Sequence, residues 1–207
     1  MKKYLTIVAA LLFASTASAQ TTESSMTISA RIAFEDGDSS RRFVEVLKTG
    51  AGGGIFGGGY IDNGTETEER DIYAGAGHVI PVPGVHIEAV AFVSRTSGTE
   101  VTPTTSIVPW VLAYANVGRV IGTANYFLYA PVTKSAGVFH TLEHAKAEWD
   151  FGPALAGAGI SATYGGEWTR TPFLTGTVKS DIGDFEVWAQ NPTEDGRAYQ
   201  VRYLRTF

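Results

Sequence analysis

Apolar and polar residues alternate along most of this chain. Met26, Ile28, Ala30, Ile32 and Phe34 fall on one face of the first such run, with Thr27, Ser29, Arg31 and Ala33 on the other. Farther on, Val85, Ile87, Ala89, Ala91 and Val93 oppose His86 and Glu88, and Ala154, Ala156, Ala158, Ile160, Ala162 and Tyr164 oppose Gly157, Gly159, Ser161 and Thr163. A period of two marks strands with one apolar face. Twelve strands are expected, at 26–35, 41–48, 53–61, 69–79, 84–94, 105–116, 119–130, 138–150, 153–164, 168–179, 183–190 and 198–207. The tenth contains Pro172 and is the least regular, so ten strands is the alternative count.

The connections sort by parity. Those after the even-numbered strands are brief: "TGAG", "IPVP", "NVGR", "FGP" and "SDIG". Those after the odd-numbered strands are longer and more polar: "DGDSS", "DNGTETEE", "SRTSGTEVTPTT", "PVTKSAG", "GGEWTRTP" and "NPTEDG". A β-sandwich has no reason to sort loops in this way. A transmembrane barrel does, with short turns on the periplasmic side, long loops outside, an even strand number and both termini inside. The expected fold is therefore all-β, a transmembrane antiparallel up-and-down β-barrel, whose closure removes exposed sheet edges.

The chain ends "AYQVRYLRTF", with Tyr199, Val201, Tyr203 and Phe207 on one face. This ending resembles the C-terminal assembly signal of bacterial outer-membrane β-barrel proteins. The resemblance implies recognition by the barrel-assembly machinery. Arg205 departs from the pattern, where an apolar residue is usual, and is expected to snorkel at the periplasmic interface. At the level of layout, size and strand count resemble the small monomeric oligosaccharide-specific porins. That family has a basic lumen, whereas the lining expected here is mixed to acidic, which speaks against anionic sugars.

Composition and charge narrow the picture further. Glycine supplies 24 of 207 residues, well above the ~7% of average proteins and poor material for helices. Lys2, Lys3, the apolar "YLTIVAALLFA" and Ala17-Ser18-Ala19 read as a signal peptide over 1–19, followed by a single barrel domain over 20–207. Without Lys2 and Lys3 the net charge falls from −5 to −7, which disfavours nucleic acid as a partner. The chain has no cysteine, so no disulfide framework exists. No segment after the signal reaches the ~18 consecutive apolar residues of a membrane helix. The expected location is the outer membrane of a Gram-negative bacterium, with lipid and lipopolysaccharide around a monomer.

Three runs carry possible chemistry. "HTLEH" at 140–144 fits the H-x-x-E-H zinc pattern. That pattern needs a helix, and a strand sets His140 and His144 ~13 Å apart on one face, too far for a shared metal. The same strand reading sends Glu143 to the lipid side, near the outer interface. "GISAT" at 159–163 lacks the second glycine of a serine-hydrolase elbow, and Ser161 falls on the inner face. "GAGGGIFGGGY" lacks the G-K-[ST] ending of a phosphate loop and reads as wall glycines. No metal, cofactor or catalytic residue is expected.

What remains is the lumenal face. The expected pore-lining residues are Arg31, Glu45, His86, Glu88, His144, Lys146, Glu148, Glu186 and Arg202. Glu45 belongs there because Val44 and Val46 make the better lipid face, leaving Arg42 and Lys48 to snorkel at the strand ends. Gly157, Gly159, Ser161 and Thr163 are expected to leave one wall open. The function this implies is a narrow, mixed-charge channel for small hydrophilic solutes. The alternatives are a structural or adhesive surface barrel without transport and, because some outer-membrane barrels resemble lipid-acting enzymes, a hydrolase.

Overall fold

Every alternating run forms a strand. The computed structural model describes residues 24–35, 39–64, 68–132, 138–164, 166–190 and 198–207. The strands are β1 (Ser25–Glu35), β2 (Ser39–Thr49), β3 (Gly54–Asp62), β4 (Arg70–Val82), β5 (Val85–Gly98), β6 (Val101–Val117), β7 (Val120–Pro131), β8 (Phe139–Asp150), β9 (Ala154–Tyr164), β10 (Trp168–Val178), β11 (Asp184–Gln190) and β12 (Ala198–Thr206). They make one closed antiparallel barrel in which each strand pairs with its sequence neighbours and β12 pairs back with β1. The twelve-strand count holds, and the ten-strand alternative does not. The expected signal segment lies outside the described residues.

Closure brings the start of β1 and the end of β12 together. Met26 N–H donates to the Phe207 carbonyl at 3.1 Å, and Phe207 N–H donates to the Met26 carbonyl at 2.8 Å. The turns after the even-numbered strands lie at this same end and are tight. Gly84 and Gly118 carry φ of 76° and 62° there, the left-handed conformation that two-residue hairpins demand.

The loop after β5 is shorter than expected. "SRTSGTEVTPTT" reads as a loop because it is polar, yet β5 runs to Gly98 and β6 starts at Val101, leaving Thr99 and Glu100 at the tip. The hairpin continues as paired strand, Ser94 with Ser106 and Thr96 with Thr104. Hydroxyl-bearing β-formers extend a ladder where apolar residues are no longer needed. Pro172 fits as well, since the β10–β11 ladder begins only at Phe173.

The two faces of the wall are chemically distinct. Outside, Ile32, Val44, Phe56, Ile72, Val93, Leu174, Val187 and Val201 are exposed, as a lipid-facing band requires. Inside, Leu47, Ile55, Val90, Phe92, Val108 and Trp110 form a buried apolar cluster, with Tyr73, Val79, Leu112, Phe127 and Tyr129 packed on it. This core sits within the barrel, against β2 to β7. Charged and polar groups line the opposite side.

Candidate functional site: the barrel lumen

A bulge in β8 organises the polar side. Along β7, Asn125 pairs with His144 and the next residue, Tyr126, pairs with Leu142, so Glu143 is an extra residue. Along β9, Ile160 pairs with Ala145 and Ala162 with Leu142, leaving Ser161 opposite both Glu143 and His144. An inserted residue absorbs one step of alternation and re-aims side chains. Glu143 therefore points inward with His144, which corrects the expectation that it faces lipid. A carboxylate in the hydrocarbon band is costly, and the bulge removes that cost.

The bulge also separates the two histidines. His144, Lys146 and Glu148 line the lumen below it, whereas His140 is turned to the outer face, beside Tyr126 (Oη to Nδ1, 2.5 Å) and the Tyr164 ring (5.7 Å between centroids). The shared face expected for His140 and His144 is lost, because one extra residue lies between them. No group of residues suited to hold a metal occurs among the described residues.

Inside, Glu143 is the end of an ion pair that crosses the barrel. Arg31 Nη1 on β1 donates to Glu143 Oε1 on β8. Asn125 Nδ2 donates to the other carboxylate oxygen at 2.5 Å, and His144 Nδ1 lies 3.7 Å from that oxygen. Neither His144 ring nitrogen has a hydrogen-bond partner among the described residues. The Arg31 guanidinium rests on the Phe43 ring, 4.9 Å from its centroid.

A second network is packed beside the first. Lys146 Nζ donates to Glu186 Oε1 and stands 2.8 Å from Glu148 Oε2. Thr175 Oγ1 donates to Glu148 at 3.1 Å, and Thr177 Oγ1 donates to it at 3.4 Å. Arg202 reaches Glu186 at 3.7 Å and donates to the Ser29 hydroxyl at 3.2 Å. Burial falls off around the ring: the side chain of Glu148 is 2% exposed, that of Arg31 15% and that of Arg202 25%. Water therefore reaches the arginine side of the lumen far more than the Lys146 triad.

Of the remaining expected residues, Glu45 on β2 stands beside Arg31, and His86 and Glu88 lie apart from this centre. Glu45 accepts a 2.8 Å hydrogen bond from Tyr73 Oη on the neighbouring wall. His86 and Glu88 pair with each other at 2.9 Å near the start of β5, with Tyr114 stacked on the imidazole. Ser161 lies inside, its hydroxyl directed to the Thr171 carbonyl, and so stands on the other face of the wall from His140.

The glycines of β9 leave no open wall. A Cβ on Gly159 would meet the Phe173 ring and Lys146, and one on Gly59 would meet the Tyr73 ring. Aromatic rings lie across these two positions, and a Cβ on Gly157 would meet the β8 backbone at Ala147 and Glu148, which corrects the expectation of free space along Gly157, Gly159, Ser161 and Thr163. The sequence also hid Glu143, Asn125, Asp71, Phe173 and Trp188 as interior residues. Only a break in the alternation of β8, where Leu142 and Ala145 bracket two polar residues, hints at the bulge.

No family model matches the chain, and no curated protein matches it by sequence. Solved structures do match. A KdgM porin in complex with disordered oligogalacturonate superposes with a TM-score of 0.63 at 16% identity, covering 87% of this chain and 99% of that one. A second structure of KdgM porin gives 0.62 at the same identity and coverage. At this identity the likeness carries the fold: the chain has the twelve-strand architecture of a small outer-membrane porin barrel, over nearly the full length of that barrel.

Proposed function

We propose that this protein is a small channel of the bacterial outer membrane that passes small hydrophilic solutes through a narrow lumen of mixed charge. The observation that carries this reading is the asymmetry of the interior. Apolar packing fills the side formed by β2 to β7, while a strip of charged side chains on β8, β11, β12 and β1 runs from the buried Lys146 group to Arg31, Glu143 and Arg202, which stay partly open to water. A barrel held together only by its core has no need of such a strip, because buried ion pairs are weak stabilisers. A twelve-strand ring also lies between the eight-strand size that side chains fill and the sixteen-strand size that leaves a wide channel.

The lining favours cations and neutral solutes. Glu45, Glu143, Glu148 and Glu186 outnumber Arg31, Lys146 and Arg202 around the charged strip, with Asp71 and Glu88 also on the inner face and Arg41 at its outer end. Short neutral sugars suit such a lining better than acidic ones, even though a structural neighbour was solved with oligogalacturonate. Planar-bilayer recording under a potassium chloride gradient tests the proposal, together with swelling of proteoliposomes in neutral and acidic sugars. A cation-selective reversal potential and faster swelling in neutral sugars are expected. Anion selectivity would refute the charge argument, and absence of any current would favour the structural barrel, whose supporting observation is the apolar cluster within the lumen.

A further inference from the structure

The geometry points to Arg31 as the moving part of a gate: it closes the lumen by reaching Glu143 on the far wall and opens it by turning back to Glu45 on its own side. This inference rests on the channel reading. β8 lies five strand steps from β1 in one direction around the barrel and seven in the other, so the Arg31–Glu143 pair spans the lumen almost at its widest. Lys146–Glu186, by comparison, spans three steps. A salt bridge across the middle of a narrow lumen obstructs it.

Glu45 is placed to receive the guanidinium when that bridge breaks. It pairs with Ser29, two residues from Arg31, which makes it the diagonal neighbour of Arg31 on β2. Such neighbours lie ~7–8 Å apart at Cα, within reach of an arginine. Phe43, which pairs directly with Arg31, gives the guanidinium an aromatic surface to rest on next to that second position.

Neither carboxylate is stranded in either state. With Arg31 across the lumen, Glu45 keeps the Tyr73 hydroxyl; with Arg31 withdrawn, Glu143 keeps the Asn125 amide and the adjacent His144. Two discrete partners for one long cation meet the requirement of a two-state element. Glu143 stands where it does only because of the bulge, so the irregularity in β8 is what makes the closed state possible.

Single-channel recording in planar bilayers of wild type, Glu143→Gln, Glu45→Gln and the charge swap Arg31→Glu/Glu143→Arg tests the gate. Glu143→Gln should raise the open fraction, and Glu45→Gln should lower it, each by roughly fivefold or more. The swap restores the bridge across the lumen but sets a carboxylate beside Glu45, so it should stay closed. A simple lining charge would behave differently, because both single variants remove one negative charge and would move conduction in the same direction. Heat-modifiable migration in detergent gels verifies folding, and Glu143→Asp, whose carboxylate is one methylene short, replaces any Glu143→Gln that misfolds and should open the channel to a lesser degree. Open fractions that move together, or do not move, overturn the gate and leave the channel intact. No current from any folded, inserted variant overturns both.

Discussion

Phe173 and Trp188 stack inside the barrel with ring centroids 4.4 Å apart and planes 8° from parallel. Phe173 pairs with Gln190 and Trp188 with Thr175, so the two rings are diagonal neighbours across β10 and β11. Behind Phe173 stands Gly159, its partner on β9, and the His144 ring meets the other aromatic edge-on at 5.1 Å. The aromatic stack fills the space between the charged strip and the wall formed by β9 to β11.

Truncating that stack should cost stability and widen the lumen together. Phe173 is 1% exposed, and loss of a fully buried phenylalanine ring destabilises by about 3–5 kcal/mol. Urea unfolding of Phe173→Ala in lipid vesicles should show a loss of that order, and its single-channel conductance should exceed that of wild type. An unchanged unfolding midpoint would mean that the ring is not packed as described.

Much of this fold was legible in the sequence, because lipid demands a strictly apolar outer face and so enforces period two. Ile32, Val44, Val187 and Val201 gave the outer face away. The interior was harder to read. Val90 and Phe92 share the inner face with His86 and Glu88, and where both faces are apolar the alternation carries no sign of which is inside. The bulge was hidden for a related reason: a single extra residue reverses every assignment beyond it, so Glu143 and His140 exchanged faces while the neighbouring strands stayed regular. The partners of Arg31 and Glu45 are long-range contacts that no local pattern encodes.

Lys146 holds two buried carboxylates together, and its removal should expose how much they depend on it. Glu148 and Glu186 both lie against its ammonium, and the single Thr175 hydroxyl stands 3.1 Å from the first carboxylate and 3.3 Å from the second. Lys146→Met leaves two anions facing each other with little solvent. Breaking a buried pair in this way costs about 3–5 kcal/mol. The triple variant Lys146→Met/Glu148→Gln/Glu186→Gln removes the stranded charge along with its partner and should recover most of that loss. Equilibrium unfolding at neutral pH measures both, and a triple variant no better than the single one would contradict the assignment.

Phe207 should matter for assembly and little for the folded barrel. Its side chain is 57% exposed on the outer face, and its backbone already exchanges two hydrogen bonds with Met26 that any residue could make. The ring itself touches the Arg205 guanidinium, 4.6 Å from the centroid. Exposed substitutions of this kind usually shift stability within about 0.5 kcal/mol. Phe207→Ala should therefore refold in detergent micelles as wild type does while its level at the cell surface falls. Equal loss in both measurements would assign the residue a structural role instead.

Deleting one residue distinguishes the bulge from the rest of β8. Asn125 and Tyr126 are consecutive on β7, and their partners His144 and Leu142 become consecutive once Glu143 is removed. On β9, His144 would then face Ser161 alone, so both ladders close without displacing another side chain. Deleting Ala147 also removes one residue from the segment, but it forces His144 and Lys146 into the two outward-facing slots that Ala145 and Ala147 now fill. A lysine turned to the lipid costs about 2–4 kcal/mol at the bilayer midplane, and here it would also abandon Glu148 and Glu186. The Glu143 deletion should keep heat-modifiable migration and a β-rich circular dichroism spectrum in micelles, whereas the Ala147 deletion should lose stability by at least the cost of the exposed lysine. Equal tolerance of the two deletions would show that β8 slides in its register and that no single residue is the inserted one.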